Sequence, residues 1–217
     1  MSYPRPLRRI SLIVIFLLLP TFKVTGQTPC SLGTSYRECP ACGTAKSVKA
    51  QRDNVLKNRD ESAADVKVLT VDYIRNPIYN DSFYPNMAVE VSGYVAKVVG
   101  GSIGESCNCG RKDLRGIHIY IVARWSEEYD QTKYVVVEIS PRWQEKLGLD
   151  NGNFHDMLKT LQNQIQKKWV KFRGWMFYDS VHIDQSESTN PGNSLNWRAT
   201  PWEIHPVTHY EVLMRQP

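Results

Sequence analysis

From residue 87 onward, apolar and polar positions alternate with a period of two, the pattern of strands that bury one face. Residues 88–99 put Val89, Val91, Val95 and Val99 on one side, and Gly93 predicts a bend or bulge. Residues 116–123 predict a second strand, with Ile117, Ile119 and Ile121 facing one way and His118 and Tyr120 the other. A third follows at 134–139 and ends before Pro141. The period then changes. Phe154, Met157, Leu158, Leu161 and Ile165 recur at helical spacing within 153–168, with Asn153 as the N-cap and Lys167 and Lys168 in the last turn. Residues 169–178 predict a fourth strand, and 202–213 a fifth in which Pro206 requires an edge or a bulge. Between them, residues 179–199 form a long loop containing Asn190-Pro191-Gly192-Asn193.

Three strands, one helix and two strands predict a mainly β (α+β) fold: a five-stranded OB-like barrel with a helix between strands 3 and 4. An unrelated small α+β sheet is the alternative architecture. Residues 27–86 read differently. They are polar, punctuated by Pro29, Pro40, Pro77 and Pro85, and predict an irregular N-terminal extension that leans on the domain at 87–217. Within it, 46–60 predicts an exposed helix whose apolar stripe (Val48, Val55, Leu56) is thin, and 77–86 a linker.

The first 26 residues have the form of an export signal: Arg5, Arg8 and Arg9, then an apolar run over 10–19, then small residues before Gln27. That run is about half the roughly 20 residues of a membrane-spanning helix, so no stable span is expected after cleavage. The expected location is periplasmic or extracellular. The signal also carries most of the chain's excess charge. The whole sequence has 27 basic and 22 acidic residues, and residues 27–217 alone are near neutral at +1. Overall charge therefore gives no argument for nucleic-acid binding, which rests mainly on phosphate neutralisation.

Five cysteines fall in the expected mature chain. Cys39-Pro40-Ala41-Cys42-Gly43 has the form of a zinc knuckle, and Cys107-Asn108-Cys109-Gly110 offers two further thiolates for a tetrahedral site. An exporting compartment favours disulfides instead, joining the two pairs and stapling the extension to the barrel. Cys30 is the expected odd residue on either reading.

Candidate chemistry collects where strands end. Asp179 and His182 follow the fourth strand, Glu203 and His205 open the fifth on one face, and His118 lies mid-strand. Histidine with carboxylate is a ligand set for zinc or another divalent metal, so His118, Asp179, His182, Glu203 and His205 are candidate ligands. Glu138 and Arg142, at the end of the third strand, are candidate catalytic residues. Plainer readings stand beside these: a Glu138–Arg142 ion pair pinning a turn, an Asx-turn at Asp179, and rim histidines satisfied by backbone. Trp169, Trp175, Trp197 and Trp202 either seal the barrel or stack a base or a sugar ring.

The segments Cys39–Lys46, Glu105–Cys109, Val137–Arg142, Gly174–His182 and Asn196–Thr208 resemble uncharacterised exported bacterial proteins. The resemblance spans most of the mature chain and implies one continuous unit, but no activity. Staphylococcal nucleases use a core similar to the predicted one, yet their motif of catalytic arginines and calcium-binding aspartates has no clear match here. The expected function is a binding or accessory protein for an unknown ligand such as a polysaccharide or nucleic acid. The alternatives are a metal-dependent hydrolase of phosphodiesters or glycans and a structural envelope protein.

Overall fold

A computed structural model of the chain describes residues 28–76, 78 and 83–217. The expected signal at 1–26 lies outside the described residues, as does much of the expected linker. Elements follow in the order α1 (Val48–Lys57), β1 (Lys67–Thr70), α2 (Val71–Arg75), β2 (Ala88–Gly100) and β3 (Ile117–Val122). β4 (Val135–Ile139), α3 (Pro141–Lys146), α4 (Phe154–Ile165), β5 (Trp169–Tyr178) and β6 (Trp202–Leu213) complete the chain.

Strands β2 to β6 close into a mixed barrel in the order β2-β3-β4-β6-β5, with β5 returning to pair with β2. The β4–β6 pairing is parallel and the other barrel pairings are antiparallel. The extra strand β1 lies parallel to β2 on its outer edge. The alternating apolar positions fill the interior as predicted: Val89, Val91, Ile119, Ile121, Val137, Phe172 and Ile204 have no exposed surface. At about 25 cal/mol per Å² of apolar area removed from water, this face is the main source of stability. Leu161 and Ile165 of α4 join the same cluster, and the Asn153 side chain caps that helix by accepting from the backbone of His155 and Asp156.

Several local expectations are corrected. The bulge in β2 falls at Ala96, between the paired positions Val95 and Lys97, and not at Gly93. Helix α4 stops at Ile165, and Lys168 lies beyond it, its ammonium reaching back to the carbonyls of Asn163 and Gln164. Pro141 ends β4 but also opens α3, so two helices separate the third and fourth barrel strands. Pro206 is not on an outer edge. It sits in β6 where the register with β5 shifts, the bulge that a missing N–H requires.

The extension is more tightly joined to the barrel than its composition suggested. Leu69, Val71, Ile74 and Phe83 enter the barrel's own buried cluster. Helix α1, capped by Ser47, docks through polar side chains: Asn54 donates to the carbonyl of Cys42, and Asn58 to those of Ala41 and Cys107. Two disulfides tie this region down, Cys30–Cys42 and Cys39–Cys109. The expected odd cysteine is therefore wrong. Cys30 is bridged, and Cys107 is the free, buried thiol. A four-thiolate zinc site is excluded with it, because Cys39, Cys42 and Cys109 spend their sulfurs on bridges. Gly43 makes the docking possible, since a Cβ there would overlap the carbonyl of Ser106.

Candidate functional site

The second face of β3, β4 and β6 is where charge accumulates. His118 of β3 lies opposite Glu138 of β4, and Val136 of β4 lies opposite Glu203 of β6, so strand register brings these side chains together. His205 shares the face of Glu203, as period-two alternation demands. The loop after β5 closes over them from one side and brings Asp179, His182, Trp197 and Arg198. The loop between β2 and β3 closes from the other and brings Glu105 and Cys107. Helix α1 lies across the top with Lys57, and together they enclose a cavity of about 270 Å³.

Along its floor the charged groups form one unbroken chain. His118 Nε2 stands 3.5 Å from Glu105 and 3.0 Å from Glu138. Glu138 is 3.2 Å from His205 Nδ1, which is 3.1 Å from Glu203. Arg198 then bridges Glu203 and Asp179 at 2.9 Å each, and Asp179 holds His182 Nδ1 at 2.5 Å. Arg198 has no exposed surface, and its Nε also donates to the carbonyl of Thr200. Such a buried guanidinium is tolerable only because each side is paired.

The electrostatics follow from this crowding. Burial alone would raise Glu138, but His118, His205 and Lys57 outweigh it and hold the carboxyl far below the usual carboxylate range. Asp179 is depressed likewise, against its own burial, by the hydrogen bond to His182 and the charges of Lys57 and Arg198. Burial would lower His118, but Glu138 and Glu105 raise it well above an ordinary histidine. Lys57 is raised against its burial by Glu203 and the other nearby negative groups. It touches none of the carboxylates, however, and its ammonium rests 4.9 Å from the centre of the Phe177 ring. Burial, with Glu105 and Glu138, pushes the Cys107 thiol up to about 12 even though Lys57 pulls the other way, so it is no ready nucleophile.

The five candidate ligands do not form one coordination sphere. His118 groups with Glu105 and Glu138, and His205 groups with Glu138 and Glu203, each set having its donor atoms within 4.8 Å of one another. Asp179 and His182 form a separate dyad on the same cavity. The expected Asx-turn at Asp179 also exists, its carboxylate accepting from the backbone of Val181. Arg142 is elsewhere. Its guanidinium holds Asp60 and Thr34 of the extension and makes no pair with Glu138. Sequence reasoning missed Glu105, Lys57 and Arg198 as site residues. Glu105 and Arg198 lie in loops without periodicity, and Lys57 lies on a helix whose buried face is polar. The spacing of Asn54 and Asn58, four residues apart and both buried, was the available signal.

Of the tryptophans, Trp202 packs in the core against Phe83 and Tyr178, whereas Trp197 stands edge-on to His182 in the cavity wall. No helix among the described residues is long and apolar enough to cross a membrane. No protein-family model matches the chain, and neither a curated protein nor a solved structure matches it significantly.

Proposed function

We propose that this protein is an exported hydrolase of small, neutral, hydroxyl-rich substrates, with the Asp179–His182 dyad as its general acid–base pair. One observation carries the reading: a carboxylate-oriented imidazole, 35% exposed, opens onto a cavity that also holds an ammonium with no ion-pair partner. Asp179 fixes the ring through Nδ1, which leaves the other ring nitrogen of His182 to take a proton from water. Lys57 is the donor available to an oxyanion or a leaving group. The neutral-substrate preference follows from charge. Asp53, Glu105, Glu138, Asp179 and Glu203 line the cavity against two permanent cations, Lys57 and Arg198, so an anion is repelled and hydroxyl groups find acceptors. Phe177 and Trp197 supply apolar and stacking surface. The volume lies just under the usual range for small-molecule pockets, which favours one sugar-sized group over a polymer segment.

Two features support an OB-like reading of the barrel and an exported location. The cavity lies between the loop joining the first two barrel strands and the loop joining the last two, where OB barrels hold their ligands; this is fold-level analogy. The two disulfides suit an oxidising compartment. The binding-protein reading keeps one observation in its favour, namely that every carboxylate on the floor already has a partner.

The test is turnover of p-nitrophenyl acetate and p-nitrophenyl glycosides beside the anionic bis-p-nitrophenyl phosphate. The neutral esters or glycosides are expected to react, and His182→Ala to lower kcat/KM by about 10² to 10⁴. Turnover confined to the phosphodiester, or unchanged in His182→Ala, overturns the proposal. Absence of all turnover together with monosaccharide binding by calorimetry replaces it with the binding reading.

A further inference from the structure

We infer that Glu105, His118 and Glu138 form a divalent transition-metal site at one end of this cavity. The donors come from three elements: the loop before β3, β3 itself and β4. One imidazole nitrogen and two carboxylate oxygens are a set that zinc accepts with an open position remaining. The nitrogen–oxygen separations are 3.0 and 3.5 Å. Ligands bonded at about 2.1 Å in tetrahedral or octahedral geometry stand about 3.0 to 3.4 Å apart, so the spacing is that of a coordination edge.

Three further observations separate this cluster from an ordinary ion pair. First, His118 Nε2 is shielded from solvent and has no hydrogen-bond partner, although Glu138 is only 3.0 Å away. The atoms are close, but a proton on that nitrogen is not aimed along the line between them. Second, the backbone leaves space around the donors. A Cβ at Gly116 would overlap the Glu138 carboxylate, and one at Gly101 would stand 2.8 Å from Glu105 Oε1 and 3.2 Å from His118 Nε2. Third, the donors are held from behind, as metal ligands usually are. Glu105 accepts from Asn108 Nδ2 at 2.7 Å and from the Ser102 backbone at 3.0 Å, and Glu138 is met by His205.

Charge agrees. Asp53 is paired with Lys49; the other four carboxylates against the permanent cations Lys57 and Arg198 leave two uncompensated negative charges when the histidines are neutral, and one divalent ion offsets them. Calcium and magnesium are disfavoured by the imidazole, since both prefer oxygen ligands. Cys107 is not among the donor atoms that converge there.

The site deepens the hydrolase reading by adding a Lewis acid to the cavity that Lys57 also lines, yet it is tested without activity. Chelator-treated, refolding-checked protein would be titrated with Zn²⁺ by calorimetry and with Co²⁺ by its visible spectrum. One ion per chain is expected. Glu105→Gln, at a half-buried position, is expected to weaken binding by about a hundredfold or more, beyond the tenfold to hundredfold typical of losing a supporting residue. His118→Ala should do the same, and His182→Ala should leave binding unchanged. Absence of stoichiometric binding by folded protein overturns the inference, as does binding indifferent to Glu105→Gln and His118→Ala. Metal retained by a His182→Ala protein that has lost turnover supports both readings, whereas turnover by folded protein that binds no metal removes only this one.

Discussion

Strands β3, β4 and β6 separate two interiors built on opposite rules. On the barrel side Ile117, Ile119, Val137, Ile139 and Ile204 pack without exposed surface, and any one of them can change to another aliphatic side chain at modest cost. On the outer side the intervening positions carry Glu138, Glu203 and His205, nearly as deeply enclosed under α1 and two loops, and the half-buried His118. The apolar side is stabilised by area, which is additive and forgiving. The charged side is stabilised only by completeness, because each member is tolerable while its partner is present. A protein that needed only stability would have made both faces apolar.

That contrast is sharpest at Arg198. Replacing it with Met leaves the buried carboxylates of Asp179 and Glu203 without their shared cation, and thermal or denaturant unfolding should show a loss of about 3–5 kcal/mol. Ile119→Val on the opposite face should cost about 0.5–1.5 kcal/mol. Equal losses would mean that water reaches the Arg198 pairs and that the two faces do not differ in kind.

A smaller effect should appear with pH. The folded-state value of Asp179 lies below the roughly 3.9 of an unfolded aspartate, so its contribution is complete above about pH 4 and is lost as pH falls below it. Asp179→Asn should therefore flatten the acid limb of stability against pH while costing about 1.5–3 kcal/mol near neutrality. An unchanged acid limb would mean that the Asp179 partners survive unfolding or contribute nothing. The least perturbation expected is at Cys107. Native protein at pH 8 should resist a thiol reagent and release one reactive thiol per chain only in denaturant. Rapid labelling of the native state would show that the cavity admits solvent more freely than its walls suggest.

How far the sequence revealed all this differs between the two faces for the same reason. Period-two alternation of valine and isoleucine locates strands because the barrel interior asks only for apolar volume, and the five barrel strands and α4 were legible from it. The same alternation placed His118, Glu203 and His205 on the far face. It could not say that loops would roof that face, so Glu105 and Arg198, which arrive from loops, stayed hidden. Lys57 and the pairing of Cys30 were obscured similarly. Helix α1 docks through Asn54 and Asn58, and hydrophobic spacing is blind to a helix that buries amides. Cysteine spacing suggested a knuckle because Cys39 and Cys42 are three apart, whereas disulfide choice depends on which sulfurs the fold brings close, as in Cys39–Cys109 across 70 positions.

The Cys39–Cys109 bridge has a consequence in time as well as in space. Glu105 sits four residues before one end of it, on a loop whose turn at Ser106 accepts a hydrogen bond from Thr44, five residues past the other end. While both cysteines are reduced, the barrel can close but nothing covalent holds that loop against the extension. The cavity wall that carries Glu105 is thus tied covalently to the extension only once Cys39 and Cys109 are oxidised. That tie therefore depends on an oxidant, and a reducing milieu would leave Glu105 on a loop held by hydrogen bonds alone.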